Sequence, residues 1–403
     1  MVGDLDVAED AVQEACALAV ERWPAEGQPA SARAWLIGVA RHKAIDQIRR
    51  DARRAEKEAA AARAAVADGE PAAHEPMGDD DLALIFTCCH PALDRAARVA
   101  LTLRYVAGVS TAEIAAAFLV PEPTMAKRLA RAKHKIRRAG IPFRVPAAEQ
   151  LPARLADVLR VLYLIYTAGH RAASGPELVH GELCDAAIRL ARSLAALLPG
   201  EPEVTGVLAL LLLTDARRPA RTGRGGELVL LEEQDRSRWV RAMIDEGDRL
   251  VQAALLLGRP GPYQLWAAIA ACHSTARTAQ DTDWPQIAAL YGELLRYEPT
   301  AVVQANRAVA VAMADGPAAG LAILDAISAH PQLSRWPQLH MARADLLRRQ
   351  NRGAEAATAY QAALALHPAP AERRFIRSML AALMPDQMAA ITADSRECSP
   401  TKS

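Results

Sequence analysis

Aromatic residues make up only 4% of the 403 residues, and the alternating runs of β-branched residues that mark strands are almost absent. Ala and Leu dominate instead, so the expected fold class is all-α. Cysteine is scarce as well. The six cysteines, at 16, 88, 89, 184, 272 and 398, show neither C-x-x-C spacing nor a framework of pairs, which speaks against a disulfide-stapled or structural zinc domain. No leader-like segment opens the sequence, and no long uncharged apolar span interrupts it. The longest apolar stretch, Val204 to Thr214, is about half the length that a bilayer requires and reads as a buried core helix. A cytoplasmic protein with reduced thiols is the expectation. The formal net charge is only +1, so any preference for a charged partner must come from how the charges are distributed.

That distribution is uneven. From Asp4 to Trp23, Leu5, Ala8, Val12, Ala15, Cys16 and Ala19 recur at helical spacing, while Asp6, Glu9, Asp10 and Glu14 crowd the first turns. Ser31 can cap a second helix whose expected apolar stripe is Trp35, Leu36, Val39, Ala40, Ile45 and Ile48. Its other side carries Arg41, Lys43, Arg49, Arg50, Arg53 and Arg54. An acidic helix is thus followed by a basic one. Residues 51–81 then lose their apolar period and end in the breaker-rich "DGEPAAHEPMGDDD", a linker whose first part can extend the helix.

The stretch "VSTAEIAAAFLVPEPTMAKRLARAKHKIRRAG" carries the most information. Ser110 and Glu113 have capping-box spacing, Pro121 stops the short helix that follows, and Pro123 suits the first turn of the next. On that last helix Lys127, Arg128, Arg131, Lys135 and Arg138 share one face, with Met125, Leu129, Ala132 and Ile136 opposite. Short helix, turn and long basic helix make a helix-turn-helix, in which positions 122, 124, 127, 128 and 131 face the major groove. The plainer alternative is a solvated basic helix.

"AEDAVQEAC…AWLIGVARHKAIDQIRR" followed by "STAEIAAAFLVPEPTMAKRLARAKHKIR" resembles the extracytoplasmic-function group of bacterial RNA polymerase sigma factors. The extension containing "LCDAAIRLARSLAALLPGEPEVTGVLALLLLTDARRPAR" is similar to the subgroup with a C-terminal TPR-like domain. The resemblance implies two small helical sigma-type domains, the second a helix-turn-helix, followed by an α-helical TPR-like solenoid. Residues 1–55 would bind core polymerase and the minus-ten element, 56–80 would link, and 81–140 would bind the minus-thirty-five element. A second linker spans 141–152, and 153–403 form the extension.

For the polymerase contact the resemblance implies Glu9, Asp10, Gln13 and Glu14; for the minus-ten element, Arg41, His42, Lys43, Asp46, Gln47, Arg49 and Arg50. For the minus-thirty-five element it implies Glu122, Thr124, Lys127, Arg128 and Arg131. The implied partners are RNA polymerase core, double-stranded promoter DNA and a regulatory protein for the extension, with no membrane, no cofactor and no metal. Trp35 reads as core packing rather than a base-stacking ring. The family has a further helix before the acidic one, whereas Met1 lies only a few residues upstream here. Either the start lies further upstream or the first domain is N-terminally short, with an apolar face left uncovered.

The rest of the chain offers weaker signals. Pro299, Pro331 and Pro368 each follow a helical run, at steps of 32 and 37 residues, near the period of stacked helical hairpins. "DARRPARTGRGGELVLLEEQDRSRW" combines four arginines from 217 to 224 with a Gly-Gly turn; it reads as a structural loop or small hairpin, since a phosphate cradle needs a Gly-rich loop entering a helix. Cys88, Cys89 and His90 look like chemistry, yet Leu82, Ile85, Phe86 and Cys89 share one helical face, so Cys89 is expected in the core. His180 and Cys184 lack a second ligand pair. No catalytic constellation is assignable. The rival reading is a ligand-sensing helix-turn-helix regulator whose C-terminal region binds a small molecule.

Overall fold

The computed structural model describes residues 5–29, 31–59, 78–118, 120–170, 181–223, 229–330, 333 and 336–383. Helices account for its regular structure throughout, as the composition implied. The chain divides into two compact units, Met1–Val161 and Leu162–Ser403.

In the first unit α1 (Leu5–Glu26) and α2 (Ala32–Ala59) form a hairpin. The face they share is lined by Ala11 and Ala15 against Ala40 and Ala44, with Val7, Leu36 and Val39 packed around them. This corrects the expected stripe: Val12 and Cys16 are exposed, as are Val20, Ile37 and Ile45. The seam lies about one position round the helix from the larger aliphatics, because alanines at spacing four let two backbones approach closely. Trp35 meets Trp23 edge to face, with ring centroids 5.5 Å apart, which agrees with a packing role. Lys43 and Glu14 pair across the hairpin at 3.1 Å. Both are substantially exposed, so the pair contributes on the order of 0–1 kcal/mol.

After residues 60–77, which lie outside the description, come α3 (Gly78–Cys88), α4 (Arg95–Leu101), α5 (Thr111–Ala117) and α6 (Glu122–Arg138). Asp94 caps α4 by accepting from the Ala97 N–H at 2.8 Å. Thr102–Val106 continue α4 as a π turn, with Ala107 N–H reaching the Thr102 carbonyl at 3.0 Å. Gly108, at φ 72°, then ends the run. α7 (Leu151–His170) begins in this unit. Asp157 pairs with Arg98 at 2.9 Å and Arg154 donates to the Phe86 carbonyl at 2.6 Å. These two contacts tie the first turns of α7 to α3 and α4.

The second unit begins with the rest of α7, α8 (Gly181–Leu197) and α9 (Pro202–Asp215). α10 (Arg241–Leu256) and α11 (Pro262–Thr275) follow. α9 is the apolar stretch seen in the sequence, and it is apolar on all sides because α8, α10 and α11 surround it. Its last residue, Asp215, is 3% exposed and would be costly there unpaired. Arg218 donates to it through Nε at 2.9 Å and reaches Asp185 at 2.6 Å. The arginine-rich segment is therefore a buried ion-pair anchor followed by 3-10 turns at Arg218–Ala220, Leu231–Glu233 and Arg236–Arg238, with residues 224–228 outside the description.

Beyond it α12 (Trp284–Leu294), α13 (Ala301–Asp315), α14 (Pro317–Ile327), α15 (Pro337–Arg349), α16 (Gly353–Ala365) and α17 (Pro370–Leu383) each pack on their neighbours in sequence. Gly316 at φ 100° makes the tight turn between α13 and α14. Where α9 crosses α11, a methyl group on Gly206 would lie 2.8 Å from the Gln264 backbone nitrogen. Gly292 on α12 has open space around it. Gly206→Ala should therefore lower stability by about 1–3 kcal/mol, whereas Gly292→Ala should leave it unchanged or raise it by up to about 1 kcal/mol. Thermal melts of the two variants check both signs.

Candidate nucleic-acid and polymerase interface

The interface is built on α5 and α6. Ser110 and Glu113 close the capping box foreseen from their spacing: the Ser110 N–H donates to Glu113 at 2.8 Å and the Glu113 N–H to Ser110 Oγ at 3.2 Å. These bonds hold the Glu113 carboxyl below its ordinary range. Pro121 precedes α6 and Pro123 occupies its second position, so the missing proline N–H falls where no intrahelical acceptor exists.

Met125, Leu129, Ala132 and Ile136 are all buried, as their spacing implied. Burial of that stripe fixes the helix rotation, which leaves Glu122, Thr124, Lys127 and Arg131 exposed. Arg128 is half-buried, its guanidinium 5.8 Å from the Phe118 ring centroid. Among the described residues no carboxylate pairs with Lys127, Arg128 or Arg131. A row of uncompensated cations beside a capped turn suits phosphate oxygens and base edges in a major groove.

The residues implied for the minus-ten element occupy α2. Arg41, His42 and Asp46 are exposed and Lys43 and Gln47 half-buried, while the Arg49 and Arg50 side chains lie outside the description. His42 Nδ1 lies 3.1 Å from the Gly38 carbonyl. Of the residues implied for polymerase, Asp10 and Gln13 are exposed and Glu14 pairs with Lys43.

Glu9 is engaged elsewhere in this unit. Arg104 donates to its Oε1 at 3.2 Å, and Tyr105 and Lys133 donate to its Oε2 at 3.4 and 3.5 Å. Burial pushes the Tyr105 phenol up from its ordinary value, with Lys133 opposing, so the hydroxyl stays a donor at neutral pH. Arg104 and Tyr105 both sit in the π turn. Motif reading missed this cluster, because the only hint of it is that Lys133 falls off the exposed cation row of α6.

Cys88 and Cys89 are buried and free, at 0% and 1% exposure. Burial raises the Cys89 thiol to about 11 and Cys88 well above its usual value. Cys89 Sγ lies 3.5 Å from Thr102 Oγ1, and His90 Nδ1 accepts from the Ala92 N–H at 3.2 Å. Neither thiol is poised as a thiolate. Among the described residues no group of three or more metal-ligating side chains converges, and no helix is long and apolar enough to cross a membrane.

Residues 1–54 match the model of Sigma-70 region 2, 83–136 that of Sigma-70 region 4, and 154–255 a family of unknown function, DUF6596. An uncharacterized protein of Rhizobium meliloti (strain 1021) is 43% identical over 384 residues, covering 94% of this chain and 90% of the relative. No solved structure matches. The chain belongs to the sigma-70 family, as an extracytoplasmic-function type sigma factor with a helical C-terminal extension. Its partners are RNA polymerase core and promoter DNA.

Because the buried thiols stay protonated until the pH nears their raised values, iodoacetamide at pH 8 should label the exposed Cys16 in native protein and spare Cys88 and Cys89. Peptide mapping before and after denaturation checks this; native labelling of Cys89 at a rate like that of Cys16 would contradict the burial.

Proposed function

We propose that this chain directs promoter-specific initiation in the cytoplasm, without catalysis of its own. The single observation that carries this reading is the cation row of α6, held outward by the buried stripe and next to a closed capping box. Lys127, Arg128 and Arg131 hold the minus-thirty-five backbone, and Glu122 and Thr124 face base edges. On α2, Arg41, Lys43, Arg49 and Arg50 hold the minus-ten backbone, with His42, Asp46 and Gln47 beside the separated bases. Glu9, Asp10, Gln13 and Glu14 on α1 meet polymerase.

The Glu9 cluster couples these roles. A carboxylate held by Arg104 and Lys133 is withdrawn from polymerase, so core binding competes with a contact to the helix-turn-helix. The pairs are partly exposed and long, each on the order of 0–1 kcal/mol. They bias the free protein toward a closed arrangement rather than locking it. The extension, from residue 153, is a TPR-like module for protein interaction or regulation; the helix-on-neighbour packing from α12 to α17 supports that reading.

Run-off transcription with purified core polymerase on a random promoter library tests the proposal. Initiation should occur at a shared pair of elements and fall by about tenfold or more when Lys127, Arg128 and Arg131 are replaced by Ala, given roughly 1–3 kcal/mol per specific contact. Absence of initiation at every promoter would refute it. Removing the cluster's cations by Arg104→Ala with Lys133→Ala should speed association with core by about two- to fivefold, the scale of about 1 kcal/mol. Stopped-flow mixing measures this, and an unchanged rate would show that Glu9 is not withheld.

A further inference from the structure

Three apolar clusters of the second unit leave a space where they meet. One cluster joins α9, α10 and α11, the next runs from α11 to α13, and the third from α13 to α17. Between them lies a cavity of about 720 Å³, within the range of sites for small organic ligands. Val309 and Met313 on α13, Met341 and Ala342 on α15, and Phe375 on α17 face it, each only half-buried by the protein itself. Thioether and aromatic walls of this kind adapt to an apolar guest.

One end is polar, and its charged groups are not evenly paired. Glu232 and Asp345 are both taken up: Arg349 donates to Glu232 at 2.8 and 2.9 Å and to Asp345 at 2.7 Å, and Arg348 reaches Asp345 at 2.6 Å. Arg236 is different. Its Nη1 donates to the His273 and Ala276 carbonyls at 2.9 and 2.7 Å, and its guanidinium lies 4.4 Å from the Trp239 ring centroid. Among the described residues no carboxylate pairs with it. Asp281, the acid that acts on it through space, is held by the Thr278 N–H and hydroxyl at 3.0 and 2.9 Å. Beside it His273 is kept neutral by burial and by Arg217 and Arg236, with its pKa lowered to about 3. Its Nδ1 is buried without a hydrogen-bond partner.

We propose that this cavity binds a monoanionic amphipathic molecule, an organic carboxylate whose head sits at Arg236 and whose apolar body lies along Met313, Met341 and Phe375. An extended peptide would bring a row of N–H and C=O groups against walls that offer them no partners. A wholly neutral guest would leave the guanidinium uncompensated, and a more highly charged anion would meet Glu232 and Asp345 as well. The inference concerns the second unit alone and stands or falls separately from the promoter reading.

Titration of the full chain with parinaric acid, a polyene carboxylate that fluoresces when removed from water, and with its methyl ester tests it. The acid should bind saturably at one per chain, and the ester about tenfold or more weaker, the scale of one charge-assisted contact. Arg236→Gln should bring the acid down to the level of the ester while leaving ester binding unchanged. Ala342→Trp, which narrows the cavity, should weaken both while the protein still melts cooperatively. Should Arg236→Gln not fold, the comparison of acid with ester on the unmodified protein decides the point about charge. Absence of saturable binding, equal affinity for acid and ester, or undiminished binding by Ala342→Trp would each overturn the proposal.

Discussion

The burial of Met125, Leu129, Ala132 and Ile136 on α6 is the constraint from which the functional surface follows. Four side chains at helical spacing permit one rotation of the helix about its axis, and the exposed positions are then determined. Lys127 and Arg131 face outward because Met125 and Leu129 face inward. The capping box at Ser110 and Glu113 and the prolines at 121 and 123 set where α5 and α6 start, and hence which residues lead the exposed face.

The same logic, with smaller residues, shapes the first hairpin. Alanine against alanine brings α1 and α2 close but buries little apolar area, so the seam contributes modestly. Polar ties across it are exposed and weak. The second unit is built the other way: α9 is enclosed on all sides, and its one buried carboxylate, Asp215, is neutralised by Arg218. Rigidity there is what allows a defined cavity to persist between three packed clusters.

Where one physical signal dominated, the sequence was legible. Period and capping located α6 and its inward stripe, the run of leucines announced a helix buried all round, and Trp35 packs on Trp23 as its place on the helix suggested. Cys88 and Cys89 resolve into core for the same reason, since neighbouring apolar residues on their helix decide their burial. The α1 seam departs from the expected stripe at Val12 and Cys16, because close backbone approach selects alanine over the valine beside it. The Glu9 cluster and the pairing of α7 with Arg98 and Phe86 depend on contacts 59 to 124 residues apart, which no local pattern encodes. The cavity arises only once three clusters are assembled.

A sigma factor and an autonomous helix-turn-helix regulator can share an α6 of this kind; they differ in what confers affinity for DNA. The most direct test is to measure the affinity of one selected promoter fragment for the free chain and for the chain with core polymerase, at the same salt. Tight, sequence-specific binding that appears only with polymerase is the result expected. Equally tight and specific binding by the free chain would contradict the account.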